Sequence, residues 1–283
     1  MNTIRKNFLK VSFLLILGTV AFYGCKINDK SQNEVVNQAT QDNASSEGEF
    51  DDVSSISNDV LSSVNLGRTE ETQEQYECAT VTISLDPTKG QTYRRVVIDF
   101  GTGCKAFNGR TRKGKMVVEL TNRPSVVGSI VTTTFDNFFV NDVKVEGTHT
   151  TTNVTTNANS PEYTVSVRDA KLTFPDGTTA TWKADRRRTW SAGFSTRSIE
   201  DDEFRITGAN EGTNRKGVKY VVAITNALVL KPSCWARGIF KPVAGIVTVT
   251  TDNNVATIDY GDGACNNTFT VTINGKTYVI NRG

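Results

Sequence analysis

Histidine is nearly absent from this 283-residue chain: His149 is the only one. Histidine acid–base catalysis would therefore rest on one side chain. Its setting, Gly147-Thr148-His149-Thr150-Thr151, reads as a solvent-facing strand. There is no Gly-x-Ser-x-Gly elbow and no phosphate-cradling glycine loop, so two common enzyme signatures are missing. Cysteine is sparse, with 5 residues and none of the close pairs that zinc sites use. The apolar run at 11–22 (VSFLLILGTVAF) is shorter than the about 20 residues of a spanning helix. The chain therefore reads as a non-enzyme without metal or cofactor.

What is present begins with an export signal. Arg5, Lys6 and Lys10 precede the 11–22 run, the charged start and short apolar core of a signal peptide. The sequence Ala21-Phe22-Tyr23-Gly24-Cys25 follows. It resembles the lipobox of bacterial lipoproteins, a small residue before a cysteine, although Phe22-Tyr23 is bulkier than usual there. The resemblance implies cleavage after 1–24, a diacylglycerol thioether on Cys25 and acylation of the new amino group, with palmitate as a typical chain. Several acyl chains anchor stably where one does not. Lys26 is not the aspartate that holds lipoproteins at the inner membrane, so the resemblance implies lipid anchorage at the outer membrane, on its periplasmic face or at the cell surface.

Residues 26–75 carry 11 Asp or Glu against 3 Lys or Arg. With Cys25 they read as a lipidated, disordered acidic tether over 25–75, too poor in apolar surface to offset its ordering entropy. One local exception is Val53, Ile56, Val60, Leu61 and Val64, whose helical spacing admits a short docked helix. From residue 76 the balance reverses to 26 Lys+Arg and 19 Asp+Glu. Residues 76–283 are rich in Val, Thr, Ile and aromatics and read as a single β-rich domain. Val81, Ile83 and Leu85 alternate with Thr80, Thr82 and Ser84, as do Phe269, Val271 and Ile273 with Thr270 and Thr272. Pro87-Thr88-Lys89-Gly90, Pro175-Asp176-Gly177, Asp252-Asn253-Asn254 and Asn274-Gly275 mark turns. About twelve strands follow, near 79–86, 93–100, 115–122, 128–140, 143–154, 162–174, 178–191, 203–210, 218–229, 234–250 (broken), 255–260 and 268–280. The expected fold is all-β: an antiparallel meander of long strands forming a strongly curved sheet or open half-barrel, with a two-sheet sandwich as the alternative.

Two segments echo each other. Val97-Ile98-Asp99-Phe100-Gly101-Thr102-Gly103-Cys104 parallels Thr257-Ile258-Asp259-Tyr260-Gly261-Asp262-Gly263-Ala264-Cys265. With the strand order, this signature resembles a group of β-rich Bacteroidota lipoproteins with no assigned activity, so the resemblance implies none. The even set Cys78, Cys104, Cys234 and Cys265 in an exported chain favours disulfides. The midpoint of 78 and 104 lies at the turn near Gly90-Gln91, which pairs Cys78 with Cys104 and leaves Cys234 with Cys265.

Among polar clusters, Glu200-Asp201-Asp202-Glu203 reads as a solvated loop or a calcium loop, and Asp259 with Asp262 as a tight turn or a calcium site. Arg110-Thr111-Arg112-Lys113-Gly114-Lys115 reads as an exposed loop. On a regular strand Trp182, Ala184, Arg186, Arg188 and Trp190 share one face. Aromatics beside guanidiniums can hold a lipid head group, sugar or phosphate, so Trp182, Arg186, Arg188 and Trp190 are the candidate ligand residues. Export argues against a nucleic-acid partner. The expected roles are a carrier of a lipid or other amphiphile on the sheet, a surface structural or adhesion protein, and, furthest behind, a glycan hydrolase using carboxylates.

Overall fold

A computed structural model describes residues 32–63, 72–106, 109–196, 198–237, 239, 241–252 and 254–281. The segment 1–24 expected as a signal, Cys25 and Val64 lie outside them. The strands form a 14-strand antiparallel meander whose order follows the chain. This is the expected all-β meander, with a single strand order rather than the two sheets of a sandwich.

The chain gathers into two compact units. The first comprises Glu49–Thr155 and Tyr163–Thr179. Its strands are β1 (Thr72–Tyr76), β2 (Ala79–Leu85), β3 (Arg94–Asp99), β4 (Cys104–Lys105), β5 (Thr111–Leu120), β6 (Ile130–Val140), β7 (Val143–Asn153) and β8 (Glu162–Thr173), paired β1-β2-β3-β5-β6-β7-β8, with β4 a short stub on β5. The second unit takes described residues 32–48, Thr156–Glu162 and the chain from Ala180 onward. Its strands are β9 (Thr179–Ala192), β10 (Glu203–Thr213), β11 (Lys219–Leu230), β12 (Ala244–Thr251), β13 (Asn254–Asp262), β14 (Thr268–Ile273) and β15 (Lys276–Asn281), paired in that order.

Period-two patterning explains which side of each strand is buried. Ala79, Val81 and Ile83 of β2 are buried, as are Phe269, Val271 and Ile273 of β14, while the intervening threonines are partly open. The segment expected as a broken strand at 234–250 contains a 3-10 turn, Pro232–Arg237, and then β12.

The tether reading needs correction over 32–63. This stretch is one α-helix, α1 (Gln32–Ser63), far longer than the short docked helix its apolar spacing suggested. Residues 49–63 pack in the first unit and 32–48 in the second. Val36, Ala39, Phe50, Val53, Ile56, Val60 and Leu61 are buried. The acidic composition that argued against burial is accommodated because helix carboxylates meet arginines: Asp42 pairs with Arg215, Glu47 with Arg186, Glu49 with Arg110 and Asp52 with Arg112.

Both cysteine pairs form as expected: Cys78–Cys104 and Cys234–Cys265, with Cα separations of 5.5 and 5.2 Å. The route differs from a simple cross-strand pair. The β2–β3 register sets Thr80 opposite Asp99, which continued would set Gly101, not Cys104, opposite Cys78. The turn after β3 and the stub β4 bring Cys104 back.

The sequence echo is also structural. Asp99 Oδ1 accepts from Gly101 N at 2.8 Å, and Asp259 Oδ1 from Gly261 N at 2.9 Å. The next aromatics, Phe100 and Tyr260, are both buried. Each unit thus holds one clasp: a cysteine, a pair of antiparallel strands, Asp-aromatic-Gly, and the partner cysteine.

Candidate functional site

In the second unit β9 exposes Thr179, Thr181, Lys183, Asp185 and Arg187 on one side. It turns Ala180, Trp182, Ala184, Arg186, Arg188 and Trp190 to the other, as the sequence pattern required. Strand β10 lies opposite, with Asn210 facing Ala184 and Gly208 facing Arg186. Gly208 has φ +125°, and a Cβ there would run into the carbonyl oxygen of Asp185. Glycine thereby allows the two backbones to close up beside Arg186.

The first half of α1 sits on this face. Asn43 Oδ1 accepts from Trp182 Nε1 at 3.0 Å and from Asn210 Nδ2. Asn43 Nδ2 donates to Glu47 at 3.3 Å. Arg186 donates to both Glu47 and Asn210 Oδ1. Asn43, Glu47, Arg186 and Asn210 therefore close a ring of hydrogen bonds, two members from the helix and two from the strands. Nearby, Asp42 accepts from Arg215 N at 2.7 Å and Arg215 Nε at 2.9 Å. The hydroxyls of Ser46 and Tyr220 are buried without a hydrogen-bond partner among the described residues. Burial and the nearby carboxylates of Asp42 and Glu47 push the Tyr220 phenol upward.

Beside the ring lies a recess lined by Thr40, Asn43, Glu47 and Arg186 at its polar end and by Leu228, Val247, Val249, Ile258 and Tyr260 along an apolar wall. Its free space is about 10 Å³, room for about one water molecule.

Arg188 and Trp190 belong to a different neighbourhood of the same strand. Trp190 packs on Phe194 and Phe204 at 4.5 and 5.6 Å, and Arg188 lies over the Phe204 ring at 5.5 Å. Trp190 Nε1 donates to Asp202 Oδ1 at 3.1 Å. Burial pushes the Asp202 carboxyl up to about 6. The four candidate residues thus divide into Trp182 with Arg186 under the helix, and Arg188 with Trp190 in an aromatic cluster.

The acidic cluster is dispersed. Asp201 accepts from Thr196, Asp202 from Trp190, and Glu203 from Arg205 and Ser191. Asp259 and Asp262 accept backbone N–H groups of their own turns. Among the described residues no group of three His, Cys, Asp or Glu is placed to hold a metal ion.

In the first unit two expectations are overturned. His149 is not solvent-facing. It is 4% exposed on β7, on the same side as buried Val145 and Asn153, and burial lowers its pKa to about 4. The Thr-rich sequence around it hid the inward side, because threonine occupies both faces of this strand. Nor is the 110–115 run an exposed loop: β5 begins at Thr111 and Arg112 is buried. Arg112 grips Asp52 of α1 through two bonds of 3.0 and 2.7 Å. Arg110 reaches Asp52 at 3.3 Å and Glu49 at 2.6 Å. Burial outweighs these cations at Glu49, whose carboxyl is raised to about 7.

No family model, no curated protein and no solved structure matches this chain. Among the described residues no helix is long and apolar enough to cross a membrane.

Proposed function

We propose that this chain is an exported lipoprotein, anchored by acyl chains on Cys25 at the outer membrane, that binds an amphiphilic ligand in its second unit. The reading does not make it an enzyme. The observation that carries it is the recess with Arg186 at one end and an apolar wall of Leu228, Val247, Val249, Ile258 and Tyr260. One polar anchor joined to one apolar wall is the general form of an amphiphile site. Trp182 and Arg186 are its ligand residues. Arg188 and Trp190 line the adjoining aromatic cluster.

Two experiments test the two parts. Replacing Cys25→Ser should abolish labelling by radioactive palmitate and release the protein from the membrane fraction. Retained label would end the anchor reading. Organic extracts of the protein, secreted by its own host without the anchor and purified gently, should contain a near-stoichiometric amphiphile by mass spectrometry. An empty, monodisperse protein would move the reading to its alternative.

That alternative is a surface structural or adhesion lipoprotein. The observation favouring it is that α1 already occupies the face, leaving about 10 Å³. Protease treatment of intact cells, compared with broken ones, separates a surface-exposed protein from a periplasmic one.

A further inference from the structure

The ring under α1 has a polarity that names a ligand class. Toward the helix, the strand residues Trp182, Asn210 and Arg186 donate. Trp182 Nε1 and Asn210 Nδ2 point at Asn43 Oδ1, and Arg186 at Glu47. The helix supplies the acceptors. On the strand side, Asn210 Oδ1 is taken by Arg186 itself.

Trp182 and Asn210 are buried, at 6% and 4% exposed, and Arg186 is partly buried, with its side chain 12% exposed. Glu47 is the carboxylate paired with Arg186. Removing the carboxylate from a largely covered guanidinium is unfavourable, and uncovered donors must find new acceptors. Water can supply the acceptors, but an anionic oxygen ligand restores both the acceptors and the countercharge.

The same recess that holds Arg186 continues along Leu228, Val247, Val249, Ile258 and Tyr260 of β11, β12 and β13. The space between that wall and the helix is too small for a ligand while residues 36–47 are seated. We infer that the site takes a single-chain fatty acid, whose carboxylate oxygens replace Glu47 Oε1 and Asn43 Oδ1 on Arg186, Trp182 and Asn210, and whose chain lies along the apolar wall after residues 36–47 of α1 lift away. In this view Asn43 and Glu47 are resident stand-ins for the ligand's head, and the first half of α1 competes with it. The inference rests on the amphiphile reading above and adds the head-group charge and the competitor.

The test uses the full mature chain, with oleate as probe, read by displacement of a fluorescent fatty acid. Oleyl alcohol, of equal chain length and no charge, is the comparison. Oleate should bind at least about tenfold more tightly than the alcohol, the scale of one charge-assisted hydrogen bond. Glu47→Gln, which loosens the competitor, should tighten oleate binding about tenfold. Arg186→Gln should remove the preference for oleate. Hydrogen exchange at 36–47 should rise on adding oleate, whereas at 50–61 it should not. Failure of oleate to bind either the native chain or Glu47→Gln overturns the inference, as does equal binding of the alcohol or an unchanged affinity in Glu47→Gln. A neutral lipid in the host extract, combined with any of these failures, leaves the amphiphile reading standing and removes only the fatty-acid assignment. An empty extract combined with them removes both.

Discussion

The two halves of α1 are held in different ways. Residues 49–63, in the first unit, bury Phe50, Val53, Ile56, Val60 and Leu61 and lock Asp52 into a two-bond pair with Arg112 whose side chains are both 3% exposed. Phe50 meets Phe135 edge-on at 6.0 Å, and Phe135 stacks on Phe138 at 5.4 Å. Residues 36–48, in the second unit, bury Val36 and Ala39 among apolar side chains, together with Asp42, Asn43 and Ser46. Apolar burial is non-directional, and any replacement occupant must match its shape. A polar seat can instead be satisfied by any group with the same donors and acceptors. The contrast assigns the second half to holding the structure together and the first half to an exchangeable contact.

The largest expected effect lies in the first unit. Arg112→Met leaves Asp52 buried without its guanidinium and should cost about 3–5 kcal/mol in denaturant unfolding. A loss below about 1 kcal/mol would mean that Arg110 alone suffices and that the second half is no better locked than the first.

Acid titration gives the next effect. His149 titrates near 6.5 unfolded but about 4 folded. Between those values the unfolded chain binds more protons, so stability rises with pH there and is lost on acidification. Glu49 works in the opposite sense. Its carboxyl is raised from 4.5 to about 7, so across that window the folded state binds more protons and stability falls as pH rises. His149→Gln should therefore spare the protein about 3 kcal/mol of acid destabilisation between pH 7 and 4. A variant with the native pH profile would show that His149 is not buried neutral.

Ile56→Ala should then cost about 2–4 kcal/mol, while Val36→Ala, from a thinner apolar seat, should cost about 1 kcal/mol. Equal losses would erase the distinction. The smallest effect is expected from Asp42→Asn, about 1 kcal/mol, because asparagine keeps an acceptor for Arg215.

Much of this was legible in the sequence where side-chain chemistry repeats at a fixed period. Alternation in β2 and β14, the turn residues, the clasp pairs and the shared face of Trp182 and Arg186 all follow from local spacing. The helix did not. Its hydrophobic spacing is continuous only over 53–61, and its first half is seated by Asp42, Asn43 and Glu47. These are residues that in isolation argue for solvent. Their partners, Arg186, Asn210 and Arg215, lie well over a hundred residues away, and no local pattern announces them. His149 and Arg112 were misplaced for the same reason. A polar residue's burial depends on a remote partner or covering element, whereas an apolar residue's burial follows from its own composition. One signal could have found the seat: an acidic segment beside a domain of opposite net charge, with Arg186 between two tryptophans.

The most direct test of the central claim is residue-resolved hydrogen exchange on the ligand-free protein. If the first half of α1 is the exchangeable contact, amides of 36–47 will exchange at least about tenfold faster than those of 50–61, through local opening that leaves the rest of the fold protected. Equal protection along the whole helix, or greater protection in 36–47, would contradict the account and leave α1 as a permanent part of the core.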